Sequence, residues 1–193
     1  MGNDIILVRH AHTAQVGPDA KTWPLSEHGR TEAARLARWS GWRGVTAIVT
    51  SSEAKAMQTA DAITGAHPHL VTLSAMEALG EVDRRGTFVT DYEGAVADFF
   101  AMPDAAPHGW EPAADARARI TAAIAHAVAP YPAASVAIVS HGLALTLYLS
   151  TLVGGPPADV AHWRTIPFTA VARVARSRDG THTLLQPFII SPT

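Results

Sequence analysis

Short apolar runs of strand length alternate along this chain with longer segments of helical pattern. The runs with the clearest strand character cover residues 5–8, 45–49, 70–73 and 135–139. Such alternation is typical of a largely parallel sheet whose two faces are both covered by helices. The sequence therefore predicts an α/β fold, a three-layer α/β/α sandwich with a mostly parallel central sheet.

The remaining segments complete this outline. Helices are predicted over residues 26–39, 53–63, 91–101, 113–128 and 142–152. Ser26 is a suitable N-cap for the first of them. Two further apolar runs, 170–174 and 183–185, flank an Asp-Gly pair and predict a hairpin. Because no internal repeat or linker divides the chain, residues 1–193 are expected to form one domain.

Charge and cysteine content exclude several classes of function. The chain has 193 residues and a formal net charge of −2. This charge argues against a large positively charged surface for binding nucleic acid. It contains no cysteine, so disulfides, thiolate catalysis and zinc ribbons are excluded. We find no signal-peptide pattern and no apolar stretch of about 20 residues. We therefore expect a cytoplasmic protein with no nucleic-acid or membrane partner, whose oligomeric state is not predicted.

Two of the predicted strands end in a histidine motif. The first ends in Val8-Arg9-His10, and the fourth is followed by Ser140-His141-Gly142. Ligands of parallel sheets bind beyond the carboxyl ends of the strands. If the two strands are neighbours, both motifs point into the same crevice.

These residue types suit the binding and transfer of a phosphoryl group. A neutral His10 imidazole can attack phosphorus, provided that its other ring nitrogen donates a hydrogen bond, most simply to a backbone carbonyl. The planar guanidinium of Arg9 can hold two phosphate oxygens. His141 can donate to a phosphate oxygen beside a helix N-terminus. Lys55 lies in the strand-to-helix turn after residue 49, where a lysine taken alone is usually solvated.

Four motifs, in order along residues 7–143, resemble those of the histidine phosphatase superfamily, the phosphoglycerate mutase-like proteins. The family opens with a strand and Arg-His-Gly-x-Thr, and here Arg9-His10-Ala11-His12-Thr13 follows the first strand. The other three are similar to Pro-Leu-Thr-x-x-Gly, Ser-Ser-x-x-x-Arg-Ala-x-Gln-Thr-Ala and Ser-His-Gly, at residues 24–29, 50–60 and 140–142. The resemblance implies the phosphoglycerate mutase-like sandwich fold.

The resemblance also implies a mechanism and a set of site residues. It implies a phosphohistidine intermediate on His10, formed without metal or cofactor from a small phosphate ester. Phosphate would be held by Arg9, Lys55 and His141. The family places a proton-donating carboxylate in Leu-x-Glu after the third strand, which Leu79-Gly80-Glu81 matches.

Several features leave alternatives open. Glu77 and Asp83 are rivals of Glu81 for the acid, and a solvated loop position is the alternative for all three. Lys55 replaces the family's second arginine and lacks its bidentate fork, which admits a non-catalytic phospho-ligand binder. The short chain favours a phosphatase over a phosphoglycerate mutase, which in this family carries added lid segments.

Other residues around His10 also depart from the family pattern or allow another interpretation. Ala11 stands where the family has glycine, and Val16 where it has asparagine. His10 and His12 together resemble the His-x-His of metal-dependent amidohydrolases, but that barrel fold needs about 250 residues. His12 is therefore expected at the rim of the pocket.

Substrate specificity is expected to arise from residues 83–112, which contain two adjacent arginines. Arg84 and Arg85 could meet a second anionic group of the substrate, or they could be solvated loop charges.

Overall fold

The computed structural model describes residues 3–177 and 179–190, and within them a six-stranded sheet forms the centre of the molecule. Its strands are β1 (Ile5–Arg9), β2 (Val45–Ser51), β3 (Val71–Met76), β4 (Ser135–Ser140), β5 (Ala170–Arg176) and β6 (His182–Ile190). The strand order is β3-β2-β4-β1-β5-β6. The first four strands in this order are parallel, and β5 and β6 are antiparallel. The predicted mostly parallel sheet and C-terminal hairpin are confirmed.

The helices follow the predicted pattern, with one additional helix and with ends that differ by up to three residues. They are α1 (Glu27–Leu36), α2 (Ala54–Ala66), α3 (Tyr92–Ala101), α4 (Ala113–Val128), α5 (Gly142–Leu149) and α6 (Val160–Arg164). The helix predicted to reach residue 39 ends at Leu36, because the buried indole of Trp42 donates to the Leu36 carbonyl at 2.7 Å. The five residues of α6 were not predicted, since one helical turn is too short to show a period.

Helices cover the sheet on both faces, as expected from the continuous apolar strands. Along β1, Ile5 and Leu7 pack into a core with α3, α4 and α5, whereas Ile6 and Val8 pack into a second core with α1 and α2. This alternation follows from the two-residue period of a strand. Burial of each such side chain contributes about 1.5–3 kcal/mol. The α/β/α sandwich is thereby confirmed.

The central pairing of β1 with β4 brings the two histidine motifs together. The strands are parallel, with Arg9 opposite Ser140. The His10 amide donates to the Ser140 carbonyl at 3.0 Å. Both motifs therefore leave the sheet at the same edge, side by side.

A close chain crossing holds the segment after β1 against the start of α1. Ser26 caps α1 by accepting a hydrogen bond from the Gly29 amide at 2.9 Å. A Cβ atom at Gly29 would lie 1.9 Å from the His12 carbonyl oxygen. Glycine is therefore required at position 29, because its backbone touches that of His12. This contact fixes the path of the chain after His10.

Candidate active site

His10 is buried at the end of β1, with 6% of its surface exposed. Its Nδ1 lies 2.7 Å from the carbonyl oxygen of Ala11. A carbonyl oxygen only accepts hydrogen bonds, so Nδ1 carries the proton and donates it. In the neutral ring the lone pair is then on Nε2. This is the tautomer that the sequence analysis requires of a nucleophile.

His141 is fully buried beside His10, and the two ring centroids are 5.0 Å apart. Its Nε2 is 2.8 Å from the hydroxyl of Ser51. Its Nδ1 is buried and has no hydrogen-bond partner among the described residues. The ring does not cap α5, although His141 occupies the N-cap position. A buried polar atom without a partner costs about 1–3 kcal/mol, so this nitrogen is suited to meet a ligand.

Both imidazoles are neutral near pH 7. Burial lowers the pKa of His10 well below its usual range, and the neighbouring His141, Arg9 and Lys55 lower it further. Burial likewise lowers the pKa of His141, together with the positive charges of Lys55 and Arg9. A neutral imidazole keeps the lone pair that a nucleophile uses.

These pKa shifts predict that the protein becomes less stable as the solution is acidified. The unfolded chain titrates its histidines near pH 6.5, whereas folded His10 and His141 stay neutral to lower pH, so the unfolded state binds more protons. We expect the free energy of unfolding, measured by urea denaturation, to fall from about pH 6.5 towards pH 5. In His10→Asn this decline should be shallower, and an identical slope in both proteins would contradict the assignment.

Arg9 is half-buried at the end of β1. Its guanidinium donates to the Ile166 carbonyl and lies over the Phe168 ring, with Cζ 4.4 Å from the ring centroid. Its Nε is buried without a partner among the described residues. A Cβ atom at Gly142 would lie only 3.1 Å from the Arg9 Cζ. The glycine of Ser-His-Gly therefore gives the guanidinium room beside the N-terminus of α5.

Lys55, in the first turn of α2, is buried with 5% of its surface exposed, so the alternative of a solvated surface lysine is wrong. Its ammonium group donates to the Glu53 carboxylate and, at 2.7 Å, to the Ala20 carbonyl. The structure therefore brings Lys55 into the interior, where its partner Glu53 also lies 3.7 Å from Nε2 of His141.

Glu53 is a buried member of the site that the sequence analysis missed. One carboxylate oxygen contacts Lys55, and the other accepts the backbone N–H of Glu81 at 2.8 Å. That second oxygen is also 3.7 Å from Nε2 of His141. Glu53 thus joins three of the predicted site residues. The available signal was its position, two residues before Lys55 in the same strand-to-helix turn.

Glu81 lies at the N-terminus of α5. Its carboxylate accepts the backbone N–H groups of Leu143 and Ala144 at 3.1 and 3.0 Å. Its rivals are placed differently. Glu77 is exposed, and Asp83 is half-buried with its Oδ2 3.9 Å from Nζ of Lys21. Among the three carboxylates, Glu81 alone makes a described hydrogen bond to the helix that follows His141.

A cleft of about 470 Å³ adjoins these groups. Its lining includes Glu53 and the three candidate acids, Glu77, Glu81 and Asp83. All of them are therefore within reach of a molecule in the cleft. Contact with α5 places the Glu81 carboxylate beside the residues that follow His141.

His12 is exposed and lies outside this cluster. Its Nδ1 is 2.9 Å from the Ser26 hydroxyl, and its ring packs edge-on against Phe168 at 5.2 Å. In residues 3–177 and 179–190, no three His, Asp or Glu side chains are grouped so as to hold a metal ion. None of the helices described is long and apolar enough to cross a membrane.

Fold and site together define a class of protein. An imidazole with a free lone pair, a second imidazole, a guanidinium and a carboxylate meet at the carboxyl edge of a parallel sheet. Cations and N–H donors stabilise phosphoryl oxygens, and an imidazole accepts the phosphoryl group. This set is suited to a phosphoryl-transfer enzyme.

Comparison with known proteins identifies the family. A family model described as the histidine phosphatase superfamily (branch 1) matches residues 5–186. The chain belongs to this superfamily and is a phosphoryl-transfer enzyme of the phosphatase type. No curated protein sequence matches it.

Solved structures show the same fold. A mycobacterial glucosyl-3-phosphoglycerate phosphatase is 22% identical with a TM-score of 0.76, and the match covers 100% of both chains. YhfR of Bacillus stearothermophilus is 24% identical with a TM-score of 0.72 over 95% of each chain. A protein described as mycobacterial hydrolase 1 is 22% identical with a TM-score of 0.77 over 99% of each chain.

Proposed function

We propose that the protein hydrolyses small phosphate monoesters through a phosphohistidine on His10, without a metal ion. One observation carries the proposal: the hydrogen bond from Nδ1 of His10 to the Ala11 carbonyl, which leaves the lone pair on Nε2. Burial beside His141 lowers the pKa of His10 and keeps the ring neutral at the pH of the cell. The nucleophile therefore needs no activating base.

In the first step, Nε2 of His10 forms a bond to phosphorus while the bond from phosphorus to the leaving oxygen breaks. Protonated Glu81 gives its proton to that oxygen, which departs as an alcohol. Arg9, Lys55 and His141 stabilise the negative charge on the other phosphoryl oxygens. The Ala11 carbonyl continues to accept the Nδ1 proton, which stabilises the positive charge on the phosphorylated ring.

In the second step, water attacks the phosphorus and the bond to Nε2 breaks. Glu81, now a carboxylate, takes a proton from the attacking water, which restores its acid form. The electron pair of the broken bond returns to His10, and inorganic phosphate leaves. One carboxyl group thus serves as acid and then as base.

Glu53 positions two partners of this reaction. Its carboxylate holds the ammonium of Lys55 on one side and the backbone of Glu81 on the other. The Glu53 carboxylate neutralises the Lys55 ammonium. Lys55 therefore adds no net positive charge to the site before an anion binds.

The test is hydrolysis of 4-nitrophenyl phosphate with EDTA present. We expect release of inorganic phosphate, and quenching with SDS at alkaline pH during turnover should trap phosphate on the protein in an acid-labile, base-stable form. Transfer of phosphate between phosphoglycerates without release would instead indicate a mutase. Tight phosphate binding with no covalent phosphate would indicate the non-catalytic binder, and loss of activity with EDTA would indicate a metal enzyme.

A further inference from the structure

Arg84 lies on two aromatic side chains. Its Cζ is 5.1 Å from the centroid of the Tyr92 ring and 5.9 Å from that of the Trp110 ring. Trp110 is fully buried, so this platform is anchored in the core. An arginine stacked on aromatic faces is oriented by them, and its N–H groups remain available in the plane of the guanidinium.

The charge of Arg84 is not neutralised within the part of the chain that the structure describes. No carboxylate there forms an ion pair with it, whereas Arg119 is paired with Glu111, and Arg164 with Glu93. Arg119 is further occupied by the carbonyls of residues 78, 80 and 81. Arg84 is thus an oriented cation with free donors, which is the arrangement that receives an anion.

The aromatic pair Tyr92 and Trp110 is connected to the start of α5, beside the phosphoryl site, through Trp163. The Tyr92 ring is 6.0 Å from that of Trp163, whose Nε1 lies 3.0 Å from the Cβ position of Gly142 at the start of α5. Burial raises the pKa of Tyr92 to about 12, and the charges of Arg84, Glu81 and Arg9 also act on it. The Tyr92 hydroxyl therefore stays protonated near neutral pH and can donate a hydrogen bond.

We propose that Arg84, held on Tyr92 and Trp110, binds a second anionic group on the leaving group of the substrate. The substrate class is then a phosphate monoester that also carries a carboxylate or a second phosphate. Both groups present paired oxygens that match the fork of a guanidinium. The inference rests on the proposed function, because it concerns the leaving group of the same site.

The test compares wild-type protein and Arg84→Gln on three matched probes: phenyl phosphate, 4-carboxyphenyl phosphate and 1,4-phenylene bisphosphate. We expect kcat/KM for the two doubly anionic probes to fall about 10-fold more than for phenyl phosphate, mainly through KM, as loss of a charge-assisted hydrogen bond predicts. A larger loss on the carboxylate or on the bisphosphate identifies which anion the subsite takes. Arg84→Lys should restore part of the selectivity.

Arg85→Gln is the comparison variant, because it removes the same charge from the next residue, which is exposed and lines the cleft beside the candidate acids. A loss of selectivity in Arg85→Gln as large as that in Arg84→Gln would mean that the second anion is not bound by the stacked arginine alone, and it would overturn the proposal. An equal loss on all three probes in Arg84→Gln would do so as well, since it indicates a structural role.

A binding measurement separates this inference from the proposed function. Calorimetry with phenylphosphonate, 4-carboxyphenylphosphonate and 1,4-phenylenebisphosphonate needs no turnover. Preference for either doubly anionic compound that is lost in Arg84→Gln supports the subsite even if no phosphohistidine forms. Equal affinity of wild-type protein for all three compounds overturns the subsite while leaving the phosphatase proposal intact.

Discussion

Replacing His10 with alanine is expected to lower turnover of phosphate monoesters at least about 10³-fold, because the atom that bonds to phosphorus is removed. Acid-labile phosphate should no longer be trapped on the protein. The fold should persist, since the bond lost to the Ala11 carbonyl is a single neutral hydrogen bond, for which a net contribution of about 1 kcal/mol is typical. Circular dichroism and thermal unfolding check the fold, and steady-state kinetics check the activity.

His12→Ala is the matched control for this variant. His12 is two residues away and exposed, and its contacts are with Ser26 and Phe168 rather than with the buried cluster. It should retain most of the activity. Residual turnover above about one per cent in His10→Ala contradicts a covalent role. Equal losses in both variants, accompanied by inhibition with a chelator, would instead support a His-x-His metal site.

Glu81→Gln is expected to slow hydrolysis by about 10²- to 10⁴-fold for esters with a poor leaving group, because glutamine has no acidic proton to give. The loss should be much smaller for 4-nitrophenyl phosphate, whose leaving oxygen needs little protonation. A glutamine oxygen can still accept an N–H from Leu143 or Ala144, so the start of α5 is preserved. The measurement is kcat for alkyl and 4-nitrophenyl esters with both proteins.

The leaving-group dependence separates an acid from a residue that only supports the structure. A structural role predicts the same loss with both esters. Asp83→Asn and Glu77→Gln remove the charge of the two rival carboxylates that line the same cleft. If the leaving-group dependence appears in one of these variants and not in Glu81→Gln, the acid has been assigned to the wrong residue.

Prediction from the sequence worked best where a feature depends on neighbours along the chain. Continuous apolar runs identify β1 and β4, because each strand contributes side chains to both cores. The Ser26 cap was predictable for the same reason, since it acts on an amide three residues away. The end of α1 was not, because it depends on the packing of Trp42 beneath it.

The same distinction applies to the site. Arg9, His10 and His141 were identifiable because a residue that follows a buried parallel strand lies at the binding edge of the sheet. Glu53 was marked only by its position close to Lys55, since its partners are the backbone of Glu81, 28 residues away, and a lysine whose burial no local pattern shows.

The sequence by itself determined the α/β class, the two histidine-bearing strand ends and the family that their motifs indicate, because local periodicity and motif order carry that information. Only the tertiary structure decided which charges are compensated. It pairs Lys55 with Glu53 and leaves Arg84 on aromatic rings without a described carboxylate partner. The electrostatic effect of a charged side chain depends on its burial and on its neighbours in space, and these are properties of the folded chain.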